Sequence, residues 1–320
     1  MMRSALLVLA VVAAPVFAKP NTIVEAEKVM EEFTAGRMGI NQAINRIQYL
    51  GQERYASAEA QYQLKRSSDR KTRALLLEFI ASLGVKDPDA ERTFVESLKS
   101  DDGAEVMTAA RGLGRMKSKD AAKPLIGLLS STVLGIRRDA ARALGEIGSS
   151  SAGGPLIKAA KAETDLDVKV LMLVAAGRSG DKKQVPGLEA MLKDDSEATR
   201  LAAAQGLCAM GTASCATFAG KLLGSTDKNE RFQAVMLFEG ASAKASAPVL
   251  EKVLADPDNK LRARAARILV QGGDAKKIDW LVIESAKAKG EERLPYEDEL
   301  EKLRLTDEQR QAILKKAGLQ

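Results

Sequence analysis

Histidine is absent from the 320 residues of this chain, and cysteine occurs only twice. Without histidine there is no imidazole general base, no Ser-His or Cys-His nucleophile pair and no His-containing zinc site. Two cysteines cannot build a Cys₄ site or a disulfide framework. Aromatic residues make up only 4% of the chain, with Trp280 the single tryptophan. Charge of one sign is scarce too: 49 Lys+Arg face 43 Asp+Glu, a net of +6. A modest excess interleaved with acids, and few aromatics to stack on bases, argue against a nucleic-acid partner. No Gly-rich phosphate loop is present. The carboxylate clusters Asp101-Asp102, Glu291-Glu292 and Glu297-Asp298-Glu299 lie among lysines and glutamates, with no cue to a cleft that would shift a pKa. No catalytic, cofactor-binding or metal residue is expected.

What is present begins with a short basic start, Met1-Met2-Arg3, and an apolar run from Ala5 to Ala14 that ends in Val16-Phe17-Ala18. The small-residue ending and the shortness of the run mark a cleavable secretory signal rather than a spanning helix. The expected cut follows Ala18, which places the protein in the periplasm or outside the cell. Nothing later is apolar for long enough to span a bilayer, so the mature chain is expected to carry no membrane span.

The body of the chain repeats. Pro124, Pro155, Pro186 and Pro248 fall 31, 31 and 62 residues apart, with Thr217 and Asp279 in the empty slots. A second ladder, Arg138, Lys169, Arg200, Arg231 and Arg262, keeps the same 31-residue period. An alanine-rich stretch precedes each proline and a second apolar stretch follows it, as in Pro124-Leu-Ile-Gly-Leu-Leu129. Each period therefore reads as two short helices. Alanine and leucine favour helix, Gly148, Gly180, Gly211 and Gly272 stand where the first helix should stop, and the proline suits the start of the second. One hairpin cannot bury its own apolar faces, so neighbours must stack into a continuous core.

An acidic loop, a basic residue opening an Ala-rich helix, Leu-Gly near its end and then Pro-Leu-Ile together resemble the HEAT repeat, closest to the short bacterial kind related to phycobilisome-lyase repeats. Arg138-Asp-Ala-Ala-Arg-Ala-Leu-Gly-Glu-Ile-Gly-Ser-Ser-Ser-Ala-Gly-Gly-Pro-Leu-Ile157 is the clearest copy. The resemblance implies an all-α fold, an α-α superhelix of the HEAT/armadillo-like solenoid type, with about seven or eight helical hairpins and polar end caps. Such repeats are informative about fold and nearly silent about activity. The expected organisation is a signal peptide over 1–18, an N-terminal helical cap over 19–68, the solenoid over 69–285 and a C-terminal helical cap over 286–320. In the N-terminal cap, amphipathic helices are expected around Thr22–Phe33, Asn41–Leu50 and Gln52–Leu64; in the C-terminal one, Thr306-Asp-Glu-Gln309 matches a capping box. Leu-Gly changes to Leu207-Cys208 and Phe238-Glu239 in two copies, and Gly187 replaces an apolar residue.

The cationic ladder suggests a structural role before a binding one. Asp165, Asp227 and Asp258 stand four residues before Lys169, Arg231 and Arg262, so that acid in the turn and base in the next helix can tie repeats together and cap helix N-termini. A groove lined by the second helices is the better binding surface. In the 31-residue register Ile126, Ile157, Leu188, Leu250 and Leu281 face the core, leaving Lys158, Glu189, Lys193, Lys221, Glu251 and Lys252 outward. Cys208 and Cys215, seven apart in one hairpin, either close a local disulfide in an oxidising compartment or serve as two small buried residues. The expected function is an exported, non-enzymatic scaffold or adaptor for a protein or peptide of the cell envelope. A structural spacer or assembly subunit, and a phycobilin-lyase-like enzyme, are the rival readings.

Overall fold

Alanine, leucine and glycine punctuation along the chain is converted into helices at every turn of the repeat. The computed structural model describes residues 20–85 and 87–319, and the export segment expected over 1–18 lies outside them. Among the described residues every regular element is helical. One compact unit ends at Ile147 and a second begins at Gly148.

The first unit contains α1 (Pro20–Thr34), α2 (Ile40–Leu50), α3 (Glu53–Arg66), α4 (Arg70–Leu83), α5 (Pro88–Ser97), α6 (Gly103–Met116), α7 (Ala122–Leu128) and α8 (Leu134–Ile147). Helices α2, α4, α6 and α8 pack successively in one row, and α1, α3 and α5 in a second row against it. The spacing of apolar residues puts one face of each helix inside. Leu76, Leu77, Phe94, Leu113, Leu125 and Leu144 are fully buried, each contributing roughly 1.5–3 kcal/mol through removal from water. Phe33 stacks on Phe79 with ring centroids 4.7 Å apart. Elsewhere alanines such as Ala109, Ala110, Ala140 and Ala141 line the contact, so the helices come close without large rings.

The second unit contains α9 (Gly153–Ala162), α10 (Leu166–Arg178), α11 (Val185–Met191), α12 (Glu197–Ala209), α13 (Ala213–Leu223), α14 (Lys228–Met236), α15 (Ala243–Val253), α16 (Asn259–Gln271), α17 (Lys276–Lys287), α18 (Leu294–Leu303) and α19 (Asp307–Lys316). The same two-row pattern recurs, with α10 on α12, α14 on α16, α16 on α18, α13 on α15 and α17 on α19. Helices α10 and α12 touch backbone to backbone: a Cβ built on Gly177 would lie 2.2 Å from the Cα of Gly206. At the end of the chain Thr306 and Gln309 form the reciprocal capping box, and α19 has no buried residue, giving the stack a polar terminus.

The glycine stops stand where the sequence placed them, and one local reading, the position of a proline, is corrected. Gly148, Gly180 and Gly211 take positive φ at the hairpin turns, and Gly272, at −74°, caps the end of α16, with Gly273 at +112° directly after it. Pro248 lies inside α15 rather than at its start, where it removes one helical N–H. No helix among the described residues is long and apolar enough to cross a membrane. The chain is an all-α solenoid-type stack of hairpins, as its period implies.

Candidate functional site

The turns between hairpins share one construction. At six of them, a polar side chain two residues before the helix-capping residue accepts that residue's N–H. Ser67 does so for Asp69, Ser100 for Asp102, Glu163 for Asp165, Asp194 for Ser196, Ser225 for Asp227 and Asp256 for Asp258. The capping side chain then accepts from the first helical turn: Asp165 from Val168 N, Asp227 from Asn229 N, Asp258 from Lys260 N and Leu261 N, and Ser196 from Thr199 N. This satisfies donors the helix leaves unpaired.

The ladder cations close over these turns. Arg200 Nη1 donates to the carbonyls of Asp194 and Asp195 at 2.8 Å each, and Arg231 Nη1 to Ser225 and Thr226 at 3.3 and 3.2 Å. Arg262 Nη1 donates to the Asp256 carbonyl at 3.1 Å, while its Nε and Nη2 reach the Tyr296 hydroxyl at 2.9 and 2.7 Å. The link between repeats does not run through the capping aspartates. Lys169 pairs with Asp194 at 3.5 Å and Arg231 with Asp256 at 3.3 Å, each across to the following turn. Hydrogen bonding from the Ser196 N–H, together with Lys169, holds the Asp194 carboxyl below the usual range.

In the first unit the ladder stands one residue earlier than the 31-residue register places it. Arg137, not Arg138, donates to the Ser131 carbonyl at 2.9 Å and the Thr132 carbonyl at 3.4 Å. From Arg137 to Lys169 is 32 residues, so counting back by 31 lands one position late. The core shows a related slip: Leu125 is fully buried and Ile126 only half-buried, whereas Ile157, Leu188, Leu250 and Leu281 are all buried.

The six groove positions lie on or beside the second-row helices of the second unit, and these stand side by side. A Cβ on Gly187 of α11 would touch Ile157 of α9 at 3.4 Å, Ser214 of α13 donates to Glu189 of α11, and α13 packs on α15. Glu251 pairs with Lys277 of α17 at 2.8 Å. Lys158, Lys193, Lys221 and Lys252 are exposed, and among the described residues none of them meets a hydrogen-bond or ion-pair partner. Both acids of the face are thus engaged with a neighbouring helix, while its four lysines project unpaired.

Cys208 of α12 and Cys215 of α13 are joined by a disulfide with Cα atoms 4.9 Å apart, and both are buried. The other departure from Leu-Gly, Glu239, receives Arg267 Nη2 at 2.9 Å. Arg267 also pairs with Glu299, which in turn takes Arg264 at 2.8 Å and Lys302 at 3.0 Å. Burial opposes the charged form of Glu299, yet Lys302, Arg264 and Arg267 outweigh it and hold the carboxyl below its ordinary range. Sequence reasoning marked Glu239 as irregular without finding its partner, because Arg267 and Glu299 are distant along the chain. It also missed Arg73, which meets Glu105 in the first unit at 2.6 and 3.0 Å. That pair borders a polar cleft of about 490 Å³ near Thr93, Ser97 and Ser100. No group of three or more metal-ligating side chains is found among the described residues.

Comparison with known proteins bears on the repeat. Residues 58–145 and 107–170 match the family model for HEAT repeats. Among solved structures, the complex of CpcE and CpcF of phycocyanin lyase from Nostoc sp. PCC7120 is similar, at 18% identity and a TM-score of 0.52, over 77% of this chain and 94% of that one. The archaeal HEAT-like repeats protein from Thermococcus onnurineus NA1 gives 16% identity and a TM-score of 0.39 over 81% and 98%. Human deoxyhypusine hydroxylase gives 19% and 0.35 over 80% and 98%. No curated protein matches the sequence. The expectation of a non-enzyme is overturned by the first of these similarities: a phycocyanin lyase complex shares this fold, so the hairpin stack gives no ground for excluding catalysis.

Proposed function

We propose that this chain, a HEAT-repeat protein, is an exported scaffold that binds a protein or peptide partner of the cell envelope along the second-row helices of its second unit. One observation carries the reading. The ladder cations Lys169, Arg200, Arg231 and Arg262 are all engaged in turns, whereas Lys158, Lys193, Lys221 and Lys252 are exposed and unpaired on one row of helices. Folding gains little from unpaired surface lysines, so their presence on a regular platform fits recognition of carboxylates on a partner. The Cys208–Cys215 disulfide supports folding in an oxidising compartment, in keeping with the signal-like segment before Lys19.

Two experiments test this. Full-length chain is expressed with its own N-terminus in a bacterial host and the cells fractionated; the expected product is periplasmic and begins at Lys19, and a cytoplasmic product retaining Met1 contradicts export. Mature chain is then used to capture envelope proteins, beside a form with the four lysines changed to glutamate. The reading requires one identified partner that binds the purified chain in fixed stoichiometry and is lost in the variant.

A further inference from the structure

The arginine pattern of the repeating turns breaks at two helices, α10, where Lys169 turns to Asp194, and α6, where Glu105 stands in its place. At five turns an arginine of the following helix folds back onto carbonyl oxygens six, and often also five, residues before it. Arg73 Nη1 meets the Ser67 carbonyl at 3.2 Å, and Arg137 meets those of Ser131 and Thr132 at 2.9 and 3.4 Å. Arg200 meets those of Asp194 and Asp195 at 2.8 Å, Arg231 those of Ser225 and Thr226 at 3.3 and 3.2 Å, and Arg262 that of Asp256 at 3.1 Å. Each turn is thus a small guanidinium receptor that the chain fills from within.

At the turn before α6 the filling residue is Glu105, and counting back six and five places the open carbonyls at Lys99 and Ser100. Among the described residues nothing donates to either carbonyl. The cleft of about 490 Å³ lies at this same turn, with Thr93, Glu96, Lys99, Ser100, Asp101 and Glu105 on its wall. Glu96 and Asp101 are exposed, without an ion-pair partner among the described residues. The missing guanidinium, the open carbonyls and the spare carboxylates therefore coincide in one place.

We propose that this cleft receives an arginine side chain from a peptide segment of another molecule, which occupies the α5–α6 turn as each ladder arginine occupies its own. The chemistry favours arginine over lysine. A planar fork can bridge two carbonyls and a carboxylate together, whereas an ammonium is a point charge. The internal case agrees: Lys169, the one lysine of the ladder, goes to Asp194 and makes no such carbonyl contact. Lys65, Lys99 and the Glu105-bound Arg73 on the same wall would oppose an unaccompanied cation, so the segment is expected to carry an acidic residue or a terminal carboxylate beside its arginine.

The test is amide NMR of the mature chain titrated with acetyl-Arg-Asp, its C-terminal carboxylate free, and with the acetyl-Lys-Asp and acetyl-citrulline-Asp counterparts. The expected result is saturable shifts confined to residues around Lys99–Glu105 with the arginine probe, and at least tenfold weaker binding of the citrulline probe. Glu96→Gln with Asp101→Asn, both at exposed positions, should weaken the arginine probe several-fold with an unchanged melting temperature. Glu105→Arg should abolish binding by refilling the turn; because it also removes the partner of Arg73, the exposed double variant decides if that protein does not fold. Shifts that never saturate, that scatter over the surface, or that are equal for arginine and citrulline overturn the proposal. The lysine face of the second unit is untouched by these variants, so the two readings stand or fall separately.

Discussion

Arg73 of α4 and Glu105 of α6 meet in a two-point contact, Nη2 to Oε1 at 2.6 Å and Nε to Oε2 at 3.0 Å, with the Glu105 side chain only 4% exposed. The arginine, reinforced by Ser97 and Ser100, holds the Glu105 carboxyl below its ordinary range. A depressed carboxylate contributes stability that is present above its unfolded pKa, about 4.3, and that is lost as pH falls through the folded value. Acidification below about pH 4 should therefore destabilise the first unit. Glu105→Gln should cost on the order of 3 kcal/mol at pH 7 by stranding Arg73, and should flatten that part of the acid limb. Urea unfolding of both forms at pH 7 and pH 3.5 measures the difference, and equal losses on acidification would refute the assignment.

Gly177 faces Gly206 with no room for a methyl group, whereas a Cβ on Gly220 of α13 would meet nothing within 4 Å. Gly177→Ala should lower stability by about 1–3 kcal/mol through overpacking. Gly220→Ala should be neutral or raise it by up to about 1 kcal/mol, since alanine favours helix. Thermal melts of the two single variants separate the effects.

Removing the Cys208–Cys215 bond by a double change to alanine frees a short loop, for which chain-entropy arguments give a loss of about 2 kcal/mol. Because both cysteines are buried, thiol labelling of the native wild type after mild reductant should stay near zero and rise only with unfolding. Rapid native-state labelling would contradict the buried geometry.

Arg267, 4% exposed, lies between Glu239 and Glu299. Arg267→Met removes the one basic partner that Glu239 has among the described residues and one of those around Glu299, and should cost about 3 kcal/mol or more. Glu239→Gly, which restores the glycine found at this place in other repeats, should cost less, because Arg267 keeps Glu299. The order of the two denaturation midpoints checks this.

Helices and hairpin pairing were legible because their signals are local: alanine-rich stretches, glycine stops and prolines recur within each period. The ladder register was less so. Pro124 and Pro155 stay 31 apart while Arg137 and Lys169 are 32 apart, so the proline ladder conceals the added residue and points to Arg138. The roles of the ladder charges depend on side-chain reach. Asp165, Asp227 and Asp258 spend their oxygens on helix N–H groups, leaving Asp194 and Asp256 to tie repeats. Among the groove residues, Glu189 and Glu251 find partners on adjacent helices, Ser214 and Lys277, that a single helix face cannot reveal.

The central claim is that the unpaired lysines hold a partner. The most direct measurement is calorimetric titration of the captured, purified envelope partner into wild-type chain and into the form with Lys158, Lys193, Lys221 and Lys252 changed to glutamate, at low and high salt. The account predicts a single saturable binding event for the wild type, weakened by salt, and at least a hundredfold loss in the variant with its melting temperature preserved. Equal affinity in the two forms would contradict it.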